Sequence, residues 1–134
     1  KSGRVVFVSS VAGLLGTQYR ASYSAAKAAI HMWANSLRAE VSKDGVEVSV
    51  VFPGFVKTNV SFNALNGEGK PQGHQDEAIE NGLDADVFAQ RVVEALMAGE
   101  EYVVVGGKKE QLGVLVSRLS PSLLYKMIRK TKVK

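Results

Sequence analysis

Tyr23 and Lys27 stand four residues apart in the stretch YSAAK, among small residues that a helix accommodates. Residues i and i+4 share one helix face, so a phenol and an ammonium can point into a single site. A phenol is a poor acid or base near neutral pH, and a neighbouring cation that stabilises the phenolate makes it a better proton carrier. Such a pair suits general acid/base chemistry, although by itself the same spacing also decorates many solvated helix faces. Ser10, thirteen residues before Tyr23 and at the end of an apolar run, adds a hydroxyl that can approach the same carbonyl oxygen as the tyrosine.

These groups need elements to hold them. RVVFVSS, residues 4–10, reads as a strand buried on both faces, and residues 10–20 with Gly13 and Gly16 read as a loop. Ser22 is placed to cap a long helix in which Ala26, Ile30, Trp33, Leu37 and Val41 recur at helical spacing, ended by Asp44 and Gly45. VEVSVVF is a second strand closed by Pro53 and Gly54. Strand, helix and strand with short connections predict a right-handed unit with parallel strands. Ser10 and the Pro53–Gly54 turn then fall on the same carboxyl edge, where open α/β sheets place their sites. Ser9 faces the other way by strand alternation, so Ser10 is the candidate.

Further along, TNVSFNAL predicts a short helix, and residues 66–82 form a Gly-rich polar excursion of the kind that often acts as a lid. A helix with Asp84 or Asp86 near its start precedes a third strand, EYVVVGG. From Lys109 onward, two short amphipathic helices are expected, broken at Pro121. The fold class is α/β, a doubly wound parallel sheet.

Composition narrows the function classes. Cysteine is absent, which excludes disulfides and thiolate metal sites and fits a reducing compartment, the cytoplasm. No His or carboxylate cluster has metal-ligand spacing, so no metal is expected. No apolar run approaches the roughly 18 residues that span a bilayer. From Lys108 onward the chain carries eight Lys or Arg against Glu110 alone, a charge of +7, which leaves −3 for the rest of the +4 total. A mildly acidic body with a basic tail is not the pattern of a nucleic-acid binder. The tail's Leu112, Leu115, Val116 and Leu119, then Leu123, Leu124, Met127 and Ile128, lie beside those cations. They admit packing on the body or on a second subunit, or peripheral contact of residues 109–134 with an anionic membrane.

VVFVSSVAG, YSAAK and VFPGFVKT, in this order and spacing, resemble the carboxyl-terminal half of a short-chain dehydrogenase/reductase. Within that family the excursion, the third strand and the LSPSLLYKMIRK tail are most similar to the dehydrogenase/reductase member 7 subgroup. The resemblance implies a Rossmann-like sheet and a nicotinamide cofactor, NADP or NAD with a tilt toward NADP. It implies hydride transfer to or from a carbonyl or alcohol substrate that is small and lipophilic. It assigns substrate orientation to Ser10, general acid/base action to Tyr23, and to Lys27 both stabilisation of the ionised tyrosine and a grip on the nicotinamide ribose. By the same resemblance Tyr23 and Lys27 also bind the cofactor, and Pro53, Gly54, Val56 and Thr58 contact its nicotinamide end. A homodimer or homotetramer is implied, with residues 23–43 in the interface. Sugar epimerases share the Tyr and Lys but differ around the serine and the Pro-Gly turn.

The departures matter as well. No T-G-x-x-x-G-x-G segment and no N-N-A-G stretch is present, and GEGKPQG is no substitute, since it follows no strand and contains Pro71. The first βαβ half, with the glycine-rich cofactor loop, is therefore absent and the chain reads as a fragment. Residues 1–107 are expected to form the catalytic half and residues 108–134 the basic helical tail. The competing reading is a non-catalytic, membrane-associated interaction module that retains the motif. KTKVK also resembles a dilysine retrieval signal, which would place a eukaryotic protein at the endoplasmic reticulum.

Overall fold

A computed structural model describes residues 2–131, so the last three residues of KTKVK lie outside it. Three strands, β1 (Gly3–Val8), β2 (Val46–Pro53) and β3 (Tyr102–Val105), form a parallel sheet in the order β1-β2-β3. Val6 lies opposite Ser49 and Val51 opposite Val103. A single 3-10 turn, Val11–Gly13, follows β1, and α1 (Ala21–Glu40) crosses to β2. Next come α2 (Glu77–Glu80), α3 (Ala85–Met97), β3, α4 (Lys108–Leu119) and α5 (Pro121–Lys130).

The central strand explains the layering. β2 has a neighbour on each side, and its Val48, Val50, Val51 and Phe52 are 0–1% exposed. Side chains alternate across a strand, so Val48, Val50 and Phe52 pack with Ala34 of α1 and Val114 of α4 on one face. On the other face Val51, Val103 and Val105 meet Phe88, Val92 and Leu96 of α3. Helices cover both faces, the doubly wound arrangement expected for a continuous apolar parallel strand. Asp84 starts α3, its carboxylate accepting from the Asp86 and Val87 N–H groups.

Some local expectations are corrected. β1 ends at Val8, and Val5, Val6 and Val8 are 38–56% exposed, because an edge strand has a partner on one side only. Ser22 sits within the first turn of α1, whose cap position is Arg20 without a side-chain hydrogen bond. Residues 58–63 form turns instead of a helix, because Gln75 supplies side-chain partners from across the excursion, its amide donating to the Thr58 carbonyl and its Oε1 accepting from Ser61 and from Phe62 N–H. Trp33 is 59% exposed and meets the body through an edge contact to Phe7, with ring centroids 5.1 Å apart. The core-facing side of α1 keeps Leu37 and Val41 of the expected stripe but takes Ala34 in place of Trp33.

His31 shares that inner face of α1. Its ring stands edge-on to Phe52 at 5.0 Å and to Tyr102 at 5.8 Å. Burial pushes its pKa below the usual 6.5, and the charges of Arg38 and Arg118 push the same way. The unfolded chain therefore binds this proton more readily than the folded one. The stability tied to His31 is complete above the unfolded value and is lost as pH falls from 6.5 toward the lowered folded value. Denaturation midpoints should fall through that window, and His31→Gln should flatten the fall. An unchanged slope in the variant would assign the pH dependence to other groups.

Candidate functional site

The carboxyl ends of β1 and β2 and the first two turns of α1 meet at one place. Ser9 and Ser10 leave β1 side by side and take different tasks. Ser9 is buried, and its hydroxyl donates to the Lys27 carbonyl at 2.7 Å. Ser10 keeps an extended backbone and caps the 3-10 turn, its Oγ accepting from Ala12 N–H at 3.1 Å. The Ser10 hydroxyl also points to the Pro53 carbonyl at a long 3.5 Å, a weak contact that leaves it free to turn toward a ligand. Ser10 is thus beside the Pro-Gly turn, while Ser9 ties the strand to the helix.

Gly13 completes that tie. A Cβ there would lie 2.8 Å from the Lys27 carbonyl carbon and 3.0 Å from the Ala28 nitrogen, so only glycine lets the loop rest on the helix backbone. Lys27 is therefore fixed at its backbone by two contacts. Its ammonium reaches back to donate to the Val8 carbonyl at 3.1 Å, and lies 5.8 Å from the centre of the Tyr23 ring. Tyr23 is 45% exposed, open to an incoming molecule. Tyr19, in the loop just before α1, has φ 62 and is 93% exposed.

The second wall is the segment after β2. Gly54 N–H donates to the Val105 carbonyl at 2.8 Å, which holds the turn against the end of β3. Val56 pairs with Leu83 in an isolated parallel bridge, flanked by Lys57 N–H to Leu83 carbonyl at 2.7 Å. Thr58 is exposed and its hydroxyl accepts from Val60 N–H at 3.4 Å. Ser10, Lys27, Pro53 and Gly54 thus gather at one sheet edge, with Tyr23 beside Lys27, and Val56 and Thr58 continue from it along the excursion. An open groove of about 620 Å³ lies nearby, between Leu14 and Gly16 of the loop and Pro121, Leu124, Tyr125 and Ile128 of α5.

Sequence reasoning passed over Ser9, Gly13 and Glu110. A glycine five residues beyond the end of β1 and a Gly-Gly pair closing β3 were the available signals, since both mark places where backbone approaches closely.

The chain is similar to proteins of known class. Its relatives include a "Dehydrogenase/reductase SDR family protein 7-like" of Drosophila melanogaster, 37% identical over 99% of this chain and 41% of that protein. Another is "Dehydrogenase/reductase SDR family member 7B" of Danio rerio, 35% identical over 95% of this chain and 41% of that one. The chain thus spans about two-fifths of the curated relatives it matches. Among solved structures, a Burkholderia cenocepacia short chain dehydrogenase in complex with NADP superposes with a TM-score of 0.75 at 24% identity, covering 98% of this chain and 48% of that one. A Burkholderia phymatum short chain dehydrogenase/reductase in complex with NAD gives 0.69 at 21% identity, covering 98% and 51%. These likenesses establish the fold. The sequence pattern that defines the short chain dehydrogenases matches residues 1–68, half of the chain, and so takes in β1, Tyr23, Lys27 and the Pro-Gly turn. With that match, the chain belongs to the short chain dehydrogenase family.

Proposed function

We propose that this chain is the catalytic half of an NAD(P)-dependent dehydrogenase or reductase acting on a lipophilic carbonyl or alcohol. The observation that carries the reading is the convergence of Ser10, the Tyr23–Lys27 pair and the Pro53–Gly54 turn on one carboxyl edge of a parallel sheet. The nicotinamide end of a dinucleotide fits these residues. Among the described residues the Val8 carbonyl is the hydrogen-bond partner of the Lys27 ammonium, which has three N–H groups to offer and so retains donors for ribose hydroxyls. Pro53, Gly54 and Val56 offer backbone and Thr58 a hydroxyl to the nicotinamide. The cofactor, when bound, supplies the hydride or accepts it.

The chain's own groups handle the proton. In the reducing direction Tyr23 O–H donates to the carbonyl oxygen as negative charge develops there, and in the oxidising direction its oxygen takes the proton back. Lys27 holds its ammonium 5.8 Å from the centre of the Tyr23 ring, a positive charge on the tyrosine's side of the site where negative charge develops during the transfer. Ser10 turns from the Pro53 carbonyl to donate to the same substrate oxygen and orient it. The groove beside the loop and α5, where Leu14, Leu124 and Ile128 stand with Ser117 and Arg129, supports a substrate with a lipophilic part. NADP is favoured slightly over NAD, and the basic residues from Lys108 onward are carried on α4 and α5, of which α4 packs Val114 against β2. The exposed Leu115, Leu119 and Leu123 near Lys126 and Lys130 support peripheral contact of α4 and α5 with an anionic membrane. Exposed Met32 and Trp33 on α1 support pairing with a second subunit.

The test is hydride tracking. The protein that carries this chain is incubated with reduced cofactor bearing deuterium at C4 and with a panel of lipophilic ketones and aldehydes. Deuterium should appear on the alcohol carbon of the product. No cofactor binding and no transfer across the panel would sink the reading.

A further inference from the structure

Glu110 lies in the first turn of α4, fifty-five residues beyond the turn it touches. Its Oε1 accepts a hydrogen bond from Phe55 N–H at 3.3 Å, the residue immediately after Pro53–Gly54. The approach is built from glycine. A Cβ on Gly54 would stand 3.0 Å from Glu110 Oε1 and 2.9 Å from Gly106 Cα, and one on Gly107 would stand 2.8 Å from Glu110 Oε2. Without those side chains the carboxylate reaches the backbone of the β2 turn from the far side of the sheet edge. Gln111, next on the helix, donates its side-chain amide to the Gly106 carbonyl at 3.1 Å and steadies the same corner. Glu110 is also the one acidic residue of the tail, set at a helix N-terminus that favours negative charge.

We propose that Glu110 is a positioning residue for the cofactor turn: by clamping Phe55 N–H it fixes Pro53, Gly54 and Val56 where they meet the nicotinamide. This rests on the dehydrogenase reading above. Gly54 N–H keeps the Val105 carbonyl and the Phe55 carbonyl keeps Leu83 N–H, so losing Glu110 frees the one peptide group between Gly54 and Phe55, and the effect falls first on cofactor affinity and on the KM for cofactor, with kcat less affected. The clamp also makes the seat of α4 a determinant of cofactor binding.

Three proteins decide it: the wild type carrying this chain, Glu110→Ala and Glu110→Gln. Each is measured for dissociation of NADPH and NADH by fluorescence and for amide hydrogen exchange in peptides containing Phe55. Glu110→Ala should raise the cofactor Kd about tenfold and speed exchange at Phe55, the size expected for losing a hydrogen bond to a charged acceptor. Glu110→Gln keeps an acceptor oxygen and should return both readouts to within about threefold of wild type. Unchanged exchange and unchanged Kd in Glu110→Ala overturn the clamp while wild-type cofactor binding leaves the dehydrogenase reading standing. Wild type that binds neither dinucleotide overturns that reading and the cofactor role together, whatever the exchange at Phe55.

Discussion

Tyr23→Phe should lower kcat/KM for carbonyl reduction by about 10²–10⁴-fold, the contribution typical of a positioned general acid. The substitution removes one oxygen and keeps the ring. Tyr23 is 45% exposed, so its hydroxyl holds no core together and the fold should lose little, within about 0.5 kcal/mol. Cofactor affinity should also stay near wild type, because Lys27 keeps its bond to the Val8 carbonyl and its backbone tie to Ser9. Steady-state kinetics with cofactor binding measured alongside separates the outcomes. Activity within tenfold of wild type would mean that another group moves the proton. Equal losses in activity and cofactor affinity would mean that the phenol acts in binding.

Phe52→Ala should cost about 3–5 kcal/mol of stability, the range for emptying a buried aromatic site. Phe52 is 0% exposed in the central strand, with the Tyr102 ring 4.5 Å away and the His31 ring 5.0 Å away. Three elements, α1, β2 and β3, lean on that one ring, and none can close the void without leaving the others. The residue is adjacent to Pro53, so the cavity lies directly under the turn that faces Ser10. Phe52→Leu should recover most of the loss by refilling the space. Denaturant titration of the protein carrying the chain measures both variants. A loss under about 1 kcal/mol would mean that the helices collapse into the cavity far more readily than close-packed cores usually allow.

No helix among the described residues is long and apolar enough to cross a membrane. The basic tail forms two helices, and their junction at Ser120 and Pro121 follows from local chemistry: the Ser120 side chain accepts from Leu123 N–H, and proline suits a first helical turn.

Local pattern alone determined the order of the three strands and the long helices between and after them, the parallel α/β class and the Pro121 break. Each depends on periodicities and turn residues within a few positions, which the chain carries whatever surrounds it. The Tyr23–Lys27 pairing is equally local, being one helical turn. Tertiary structure decided what those rules do not contain. An apolar run such as β1 looks the same whether one flank is covered or two, so the exposure of Val5, Val6 and Val8 was invisible in the sequence. Trp33 and Ala34 are adjacent on α1, and only the seat of the helix on β2 decides which is buried. Ser9 meeting Lys27, Gly13 resting on the same helix turn, and Glu110 reaching Phe55 join segments distant in sequence. Such contacts exist only after the sheet has brought strand ends together, because side-chain reach is a few ångströms and chain separation says nothing about it.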